Sequence, residues 1–495
     1  MNASSMVRPR GLRRAGFALV ALAGVAFVQS ALAQPYPTPP EAAAPRPLVV
    51  QPPVEQKLPN GLRIVLAERP GVGLVSAQLI VLSGSETDPA NLPGLAAMTA
   101  TLLTKGTREH SATSLATAAE ALGTALSSGA GWNQSSVGVT VAEPNLDAAL
   151  DLVAEVTIQP TFAQDELDRA RTQALDDLKV AYAQPGALAG AAADRLLFGA
   201  APYGHPAGGT PASLPRITRP DLVRLHQAYY RPDNAVLVLA GDLDAAQARR
   251  LAAKHFGGWR ASGKAPEPAA AAASAAGSLA APLAVIDMPQ SGQAGVVLVT
   301  PAPPARTDRA IGQVANAVLG GDYSSRLNQE IRVKRGLSYG ANSRLDARRQ
   351  AGSFRAGVQT KNESALDVVT LLQGEFDRLM GTPVPDDELA ARKATLIGTF
   401  SRSVETTAGL AGTVGALIVI GVPPDDLGRR IDALQAVTAA DIQRYAKTWF
   451  EPARRRVVVA GDASKFAEAL KKAAPDLRPI TLEALDLERT DGLSR

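Results

Sequence analysis

The chain has 495 residues, no cysteine and four histidines, with a formal net charge of +4. This length exceeds what one hydrophobic core usually serves and favours two or more domains. The lack of cysteine excludes disulfides, thiolate catalysis and cysteine-based zinc sites. Four basic residues lie close to the N-terminus, and without them acidic and basic residues are equal in number. The charge therefore gives no reason to expect nucleic-acid binding.

Residues 1–33 have the pattern of a signal peptide. Arginines at positions 8, 10, 13 and 14 precede an apolar run over 15–28, which is too short to span a bilayer comfortably. Ala31-Leu32-Ala33 provides a small-x-small cleavage signal before Gln34. We expect a periplasmic or secreted chain, and a retained N-terminal anchor is the alternative. Later apolar runs are shorter than a membrane span, so we expect no membrane-spanning segment after cleavage.

Residues 34–50 are rich in Pro and Ala and predict a flexible lead. Folded sequence then begins at a Pro59-Asn60-Gly61 turn, and its apolar spacing predicts alternating strands and helices. The predicted strands cover 62–66, 74–82 and 131–141, and the predicted helices cover 92–105, 111–126, 145–157 and a longer segment from Gln164. Residues 261–283 consist mostly of Ala, Ser, Gly and Pro and predict a linker.

The sequences on the two sides of this linker repeat each other. Residues 229–242 read YYRPDNAVLVLAGD and residues 449–462 read WFEPARRRVVVAGD. Asp-Glu-Leu opens a helical pattern at 165 and again at 387, and the strand around Val297 matches the strand around Ile80. Three ordered pairs at nearly one offset predict a duplicated domain, with halves at 51–260 and 284–480 and a tail at 481–495. We expect an α+β fold in a clamshell arrangement, in which each half is a mixed, mostly antiparallel sheet covered by helices.

Residues 94–107, GLAAMTATLLTKGT, resemble the first helix of the pitrilysin/insulinase-type zinc peptidases (peptidase family M16), which include the mitochondrial processing peptidases. The resemblance continues through Pro160-Thr161-Phe162, the segment PYGHP at 202–206, and Tyr230-Arg231-Pro232. These pieces keep their order over nearly all of the chain after the predicted signal peptide. The resemblance implies a LuxS/processing-peptidase-like fold for both halves.

The departure from the family falls on its metal site. Working members carry H-x-x-E-H, in which two imidazoles one helical turn apart bind zinc and the glutamate activates water. By this resemblance the three places hold Ala97, Ala100 and Thr101, and the downstream ligand position holds Asp177, with Ala170 at a nearby acidic position. One carboxylate does not make a catalytic zinc site, and the histidines show no i, i+4 pairing. We therefore expect no metal and no cofactor in this chain.

Residues 323–340, YSSRLNQEIRVKRGLSYG, resemble the family segment that faces the active centre from the opposite half. The resemblance assigns substrate contact or oxyanion support to Arg326 and Tyr339. The alternative is that Arg326 is a solvated helix residue and Tyr339 belongs to the core. The segment also contains G-x-S-x-G around Ser338, but a predicted helix precedes it and a strand-like segment follows, which reverses the context of a serine nucleophile. The loop over residues 127–133 predicts either a peptide-binding strand edge or a plain hairpin turn.

Three functional hypotheses follow from this pattern. The first is a noncatalytic, substrate-binding subunit of a periplasmic zinc metallopeptidase, whose partner carries H-x-x-E-H and supplies the zinc. The second is a peptide-binding or scaffold protein of the cell envelope without a peptidase role. The third is an enzyme with an unrecognised centre, which the sequence supports least. The partners that we expect under the first hypothesis are an M16-type subunit and peptide substrates.

Overall fold

A computed structural model of the chain describes residues 51–261, 263, 282–472, 474–489 and 492–493. The predicted signal peptide, the Pro/Ala-rich lead and most of the predicted linker lie outside the described residues. In the part of the chain that is described, no helix combines the length and the apolar character needed to cross a bilayer.

The first half contains a six-stranded mixed sheet. Its strands are β1 (Val54–Lys57), β2 (Arg63–Glu68), β3 (Leu74–Val81), β4 (Ser127–Ala130), β5 (Ser135–Ala142) and β6 (Ala235–Gly241). Their order across the sheet is β1-β2-β6-β3-β5-β4. β2 and β6 run parallel and the other neighbours run antiparallel. β6 is buried along its whole length, as expected for a strand with cover on both faces.

The second half repeats this sheet. Its strands are β7 (Leu283–Asp287), β8 (Ala294–Ala302), β9 (Ala341–Asp346), β10 (Gly352–Thr360), β11 (Arg456–Gly461) and β12 (Ile480–Thr481). The order β12-β7-β11-β8-β10-β9 matches the first sheet when β7, β11, β8, β10 and β9 replace β2, β6, β3, β5 and β4. The predicted α+β fold with two homologous halves is confirmed, including the match between the strands around Ile80 and Val297.

Helices cover one face of each sheet. Those of the first half are α1 (Leu95–Leu102), α2 (Ala112–Ala121), α3 (Leu146–Ile158), α4 (Gln164–Tyr182), α5 (Pro185–Phe198), α6 (Arg219–Tyr229) and α7 (Ala245–Phe256). Those of the second half are α8 (Arg309–Leu319), α9 (Arg326–Asn328), α10 (Ala365–Gly381), α11 (Asp386–Ser403), α12 (Thr407–Val419), α13 (Asp426–Ala436), α14 (Ala439–Trp449) and α15 (Ala467–Lys471). The two Asp-Glu-Leu segments open α4 and α11, as the repeat predicted.

One helix from each half packs on the sheet of the other half, on the face opposite that sheet's own helices. α5 packs on β8 and β11, and α12 packs on β3 and β6. The contact of α5 is close, since a Cβ added to Gly295 in β8 would lie 2.4 Å from the Gly186 nitrogen. At the start of α12, the Thr407 and Ser76 hydroxyls are hydrogen-bonded at 2.9 Å. The two halves of this chain therefore share buried surface and pack as one unit.

The hairpin between β9 and β10 strengthens this contact with two arginines. Arg348 is 2% exposed, lies 4.3 Å from the Trp132 ring centroid and donates to Asp346 at 2.6 Å. Arg349 donates to three carbonyl oxygens, those of Asn133 at 2.8 Å, Val419 at 3.0 Å and Leu82 at 3.2 Å. Both guanidinium groups are therefore committed to holding the halves together.

Candidate functional site

The helix α1 that corresponds to the family's zinc helix is intact as a structural element. It begins at Leu95, later than the sequence pattern predicted, because Gly94 adopts a left-handed conformation with φ of 90°. The Asp88 carboxylate accepts the backbone N–H groups of Gly94 at 2.8 Å and Ala96 at 2.7 Å, which satisfies donors that a helix start leaves free. Burial raises the pKa of Asp88 well above its usual value.

The face of α1 that would carry the metal ligands offers almost no donor atoms. Ala97 is half-buried, Ala100 is fully buried, and Thr101 is exposed. The Thr101 hydroxyl donates to the Ala97 carbonyl at 2.9 Å, so this oxygen is already engaged within the helix. Two methyl groups and one hydroxyl cannot replace two imidazoles and a general base.

The fourth predicted position lies on α4, which packs against α1. Asp177 is exposed and accepts a hydrogen bond from the Gln173 amide at 2.8 Å. The nearby Ala170 packs against the hydrophobic core of the first half. In the described residues, no group of three His, Cys, Asp or Glu side chains is arranged to hold a metal ion. The residues of this site do not fit a catalytic zinc ion.

The four histidines have other roles. Each has a hydrogen-bond partner: Glu155 for His110, the Ser85 carbonyl for His205, the Thr157 carbonyl for His226, and Asp147 for His255. Burial lowers the pKa of His205 and His226, which favours their neutral forms. All four are explained by the packing of the first half.

Beside α1 lies the strand β4, which forms the edge of the first sheet. It pairs with β5 and has no second strand partner among the described residues. The Ser128 hydroxyl donates to the Ala100 carbonyl at 2.8 Å and fastens the strand to α1. Residues 127–133 contain a strand over Ser127–Ala130 followed by a hairpin turn. Peptide binding at this strand edge stays a prediction.

Arg326 is buried in the second half. Its Nε and Nη2 atoms donate to the Glu388 carboxylate at 3.0 and 2.7 Å, and its Nη1 atom is buried without a hydrogen-bond partner. The guanidinium group therefore ties the start of the 323–340 segment to α11. The alternative that Arg326 is a solvated helix residue is therefore wrong, and its contact with a substrate stays a prediction.

Tyr339, by contrast, is 90% exposed. It lies in the loop before β9, at the rim of a groove, and the prediction that it could be a core residue is not supported. The neighbouring Ser338 lies 2.7 Å from two carbonyl oxygens, those of Gly340 and Gln359. A strand follows it rather than a helix, so the serine-nucleophile arrangement is absent here. In the described chain no hydrogen bond joins Tyr339 and Arg326, and Arg326 does not line the groove at whose rim Tyr339 lies.

Sequence reasoning missed Arg332 in the same segment as Arg326. The segment's other two cations, Lys334 and Arg335, are paired with Glu330. The Arg332 guanidinium carbon lies 4.8 Å from the Tyr323 ring centroid, and Arg332 has no ion pair among the described residues. Leu327 and Ile331 form the buried stripe of this segment, and Arg326 and Arg332 flank that stripe. The apolar pattern therefore could not distinguish them; the long-range contact of Arg326 with Glu388 does.

Comparison with known proteins assigns the chain to a family that agrees with its fold and with the positions on α1 and α4. A family model described as insulinase (peptidase family M16) matches residues 63–201, and one described as peptidase M16 inactive domain matches residues 216–396. The chain belongs to peptidase family M16. An uncharacterised zinc protease of Mycobacterium leprae is 28% identical over 69% of this chain and 76% of its own length. A non-peptidase homologue of Helicobacter pylori is 26% identical over 62% of this chain and 70% of its own length.

Solved structures give the same result for the fold. A peptidase M16 inactive domain from Pseudomonas fluorescens has a TM-score of 0.76 and 27% identity, covering 83% of this chain and 98% of that one. A Helicobacter pylori protease has a TM-score of 0.77 at 19% identity, covering 83% and 100% of the two chains.

Proposed function

We propose that this chain is the noncatalytic subunit of a two-chain zinc peptidase of the periplasm. A similar chain with an intact H-x-x-E-H helix would supply the zinc ion and the general base. The observation that carries the proposal is an asymmetry between the halves. The four ligand positions on α1 and α4 offer one carboxylate, whereas the 323–340 segment presents the exposed phenol of Tyr339 and the Arg332 guanidinium, which has no ion pair among the described residues.

The packing of the halves supports a second chain. Because α5 and α12 each pack on the sheet of the other half, we infer that a peptide is enclosed between this chain and a second one. A surrounding clamshell then needs the partner. The free edge of β4 beside α1 would contribute a wall on which an extended peptide forms backbone hydrogen bonds.

The 323–340 segment would contribute the polar contacts. Tyr339 offers a hydroxyl donor and Arg332 a forked cationic donor, which suit a peptide carbonyl or a developing oxyanion in the partner's centre. Arg326 acts differently: through Glu388 it holds the segment in place. We therefore assign contact with the substrate to Tyr339 and Arg332 and a positioning role to Arg326.

The test is a reconstituted peptidase assay. The purified chain, its suspected partner and the pair are compared on a quenched fluorescent peptide with and without chelator. We expect activity of the pair that chelator abolishes. Tyr339→Phe and Arg332→Gln should each lower kcat/KM about tenfold or more, as expected for loss of a transition-state donor. Arg250→Gln, a change of an exposed arginine in the first half, is the matched control.

Two results would contradict the proposal. One is robust, chelator-sensitive cleavage by this chain alone. The other is full activity of the pair when both Tyr339 and Arg332 are changed, with melting temperatures showing that the variants are folded.

The scaffold alternative rests on a different observation. Tyr323, Val333 and Tyr339 are exposed side chains of one segment, at 63%, 51% and 90%, and exposed apolar groups that lie together favour protein contacts. Under this alternative, Tyr339→Phe leaves peptidase activity unchanged, whereas Val333→Asp prevents association with the partner.

A further inference from the structure

A groove of about 510 Å³ lies on the face of the second sheet that α5 covers only in part. α5 packs mainly on β8 and β11, so the outer strands β9 and β10 remain accessible on this face. Tyr339 stands at the rim. The lining includes two arginines, Arg344 and Arg355, and no acidic side chain.

The two arginines are direct cross-strand neighbours. Arg344 on β9 pairs in register with Arg355 on β10, so both side chains leave the same face of the sheet. Like charges placed directly opposite each other in an antiparallel pair repel. Asp194 on α5 compensates one of them, because it accepts a hydrogen bond from Arg355 Nη2 at 2.5 Å. The Arg355 Nε atom is buried and has no hydrogen-bond partner.

Arg344 remains uncompensated. It is exposed, and it has neither an ion pair nor a hydrogen bond in the part of the chain that the structure describes. The nearest acidic residue on its own strand, Asp346, is already paired with Arg348 at 2.6 Å. An anion entering the groove would meet a free cation whose neighbour is also positive.

We expect a peptide to reach the groove across the face of the sheet rather than by pairing with its edge strand. Two outward N–H groups of β9 are already used, since Ser343 donates to the Gly320 carbonyl at 2.8 Å and Ala341 to the Asn328 side chain at 3.3 Å. A strand added along β9 would have to compete with these two hydrogen bonds. On the face itself, a Cβ added to Gly357 would meet only the Asn342 side chain, at 3.9 Å, so the floor has room for a ligand side chain.

We propose that this groove binds an acidic side chain of an extended peptide, with Arg344 as the contact to the carboxylate. The inference rests on the proposed peptide-handling function and adds a substrate class, peptides with Asp or Glu near the segment that reaches Tyr339. The ligand we propose is an internal Asp or Glu side chain, and recognition of a chain end is an outcome that the test distinguishes. Asp and Glu side chains would both bind through a charge-assisted hydrogen bond between the Arg344 guanidinium and the carboxylate.

The experiment measures binding to the isolated full chain by fluorescence anisotropy, without partner or zinc. The probes are three labelled peptides of equal length: one with central Asp and Glu and a blocked C-terminus, its Asn/Gln isostere, and the isostere with a free C-terminus. We expect the acidic peptide to bind roughly threefold to tenfold more tightly than the blocked isostere. Arg344→Gln should reduce that ratio to about one, Arg344→Lys should keep most of it, and Arg250→Gln should leave it unchanged.

Several outcomes would overturn the inference. Equal affinity for acidic and amide peptides is one, and an equal loss in Arg344→Gln and Arg250→Gln is another, because it would indicate an effect of overall charge. Tightest binding of the peptide with the free C-terminus would show recognition of a chain end instead. Acid-selective binding beside an inactive pair would refute the proposed subunit role and leave the groove assignment standing. An active pair without acid selectivity would refute only the groove.

Discussion

Glu86 gives a quantitative test of how the two halves are joined. It lies in the short helical turn Ser85–Thr87, is 4% exposed, and accepts the Gly84 N–H at 3.0 Å. Arg349 from the second half approaches to 3.9 Å. Burial raises the pKa of Glu86 to about 7, and the nearby Arg349 charge offsets this only in part.

The direction of the pH dependence follows from this shift. Between the unfolded pKa of 4.5 and the folded pKa of about 7, the folded chain holds a proton that the unfolded chain has lost. The contribution of Glu86 to stability therefore falls as the pH rises through this window and levels off above it. The upper limit of the loss is about 3 kcal/mol, at about 1.4 kcal/mol for each pH unit. Glu86→Gln removes the ionisable group and should be more stable than the parent chain above pH 7 by up to that amount.

The assay is urea unfolding from about pH 5 to pH 8, the window in which the linkage acts. The difference in stability between Glu86→Gln and the parent should grow with pH across this range, and it isolates Glu86 from His205 and His226, whose lowered pKa values act in the opposite direction. Glu120→Gln, a change of an exposed acid on α2, serves as the control and should follow the parent. If Glu86→Gln and the parent keep the same slope with pH, the carboxyl is not protonated in the folded chain and the reasoning fails.

Three further predictions concern the second half and the metal. Arg326→Ala should lower the free energy of unfolding by about 3 kcal/mol because it leaves a partly buried carboxylate unpaired, and a double-mutant cycle with Glu388→Gln should show coupling above about 1 kcal/mol in urea unfolding. Gly415→Ala in α12 should destabilise by about 1–3 kcal/mol, since its Cβ would lie 2.7 Å from Ile80. Gly412→Ala, with nothing within 4 Å, should instead stabilise by up to about 1 kcal/mol in thermal melts. Elemental analysis of the purified chain should find no stoichiometric zinc, because the four ligand positions hold one carboxylate.

The duplicated architecture could be predicted from the sequence because each half marks its elements locally. The Pro turn followed by an apolar strand ending in Ala-Gly-Asp fixes β6 and β11, and the Asp-Glu-Leu segments fix the starts of α4 and α11. These signals depend on backbone conformation within a few residues. They are therefore readable without knowledge of the tertiary contacts.

The exchange of helices could not be predicted in the same way. α5 contains GALAGAAADRLLF and is largely buried. This composition predicts that the helix is buried, but it does not indicate on which sheet the helix packs. The deciding feature is the approach of Gly186 and Gly295, where a Cβ added to Gly295 would lie 2.4 Å from the Gly186 nitrogen. Their sequence separation exceeds one hundred positions, so no local pattern connects them.

In the candidate site, too, local features could be predicted from the sequence and long-range contacts could not. The loss of ligands at Ala97, Ala100 and Thr101 is visible in the sequence because a motif spans one helical turn. The commitment of Arg326 to Glu388 is not, because the carboxylate comes from a helix that begins sixty residues later. The sequence alone does not show whether an arginine forms an ion pair, because its partner can come from a distant segment.

The state of α1 explains how the fold survives without zinc. Met98, Leu102 and Leu103 are buried in the core of the first half, and Asp88 caps the helix start without help from a metal. Alanine at the fully buried position 100 avoids the desolvation that a carboxylate would suffer there without a cation. The helix is thus stabilised by groups that never depended on the ligand set, and it still supports the edge strand β4 through Ser128. The chain can therefore lack the metal ligands and still keep α1 and the edge strand β4 in place. The proposed subunit role requires this combination.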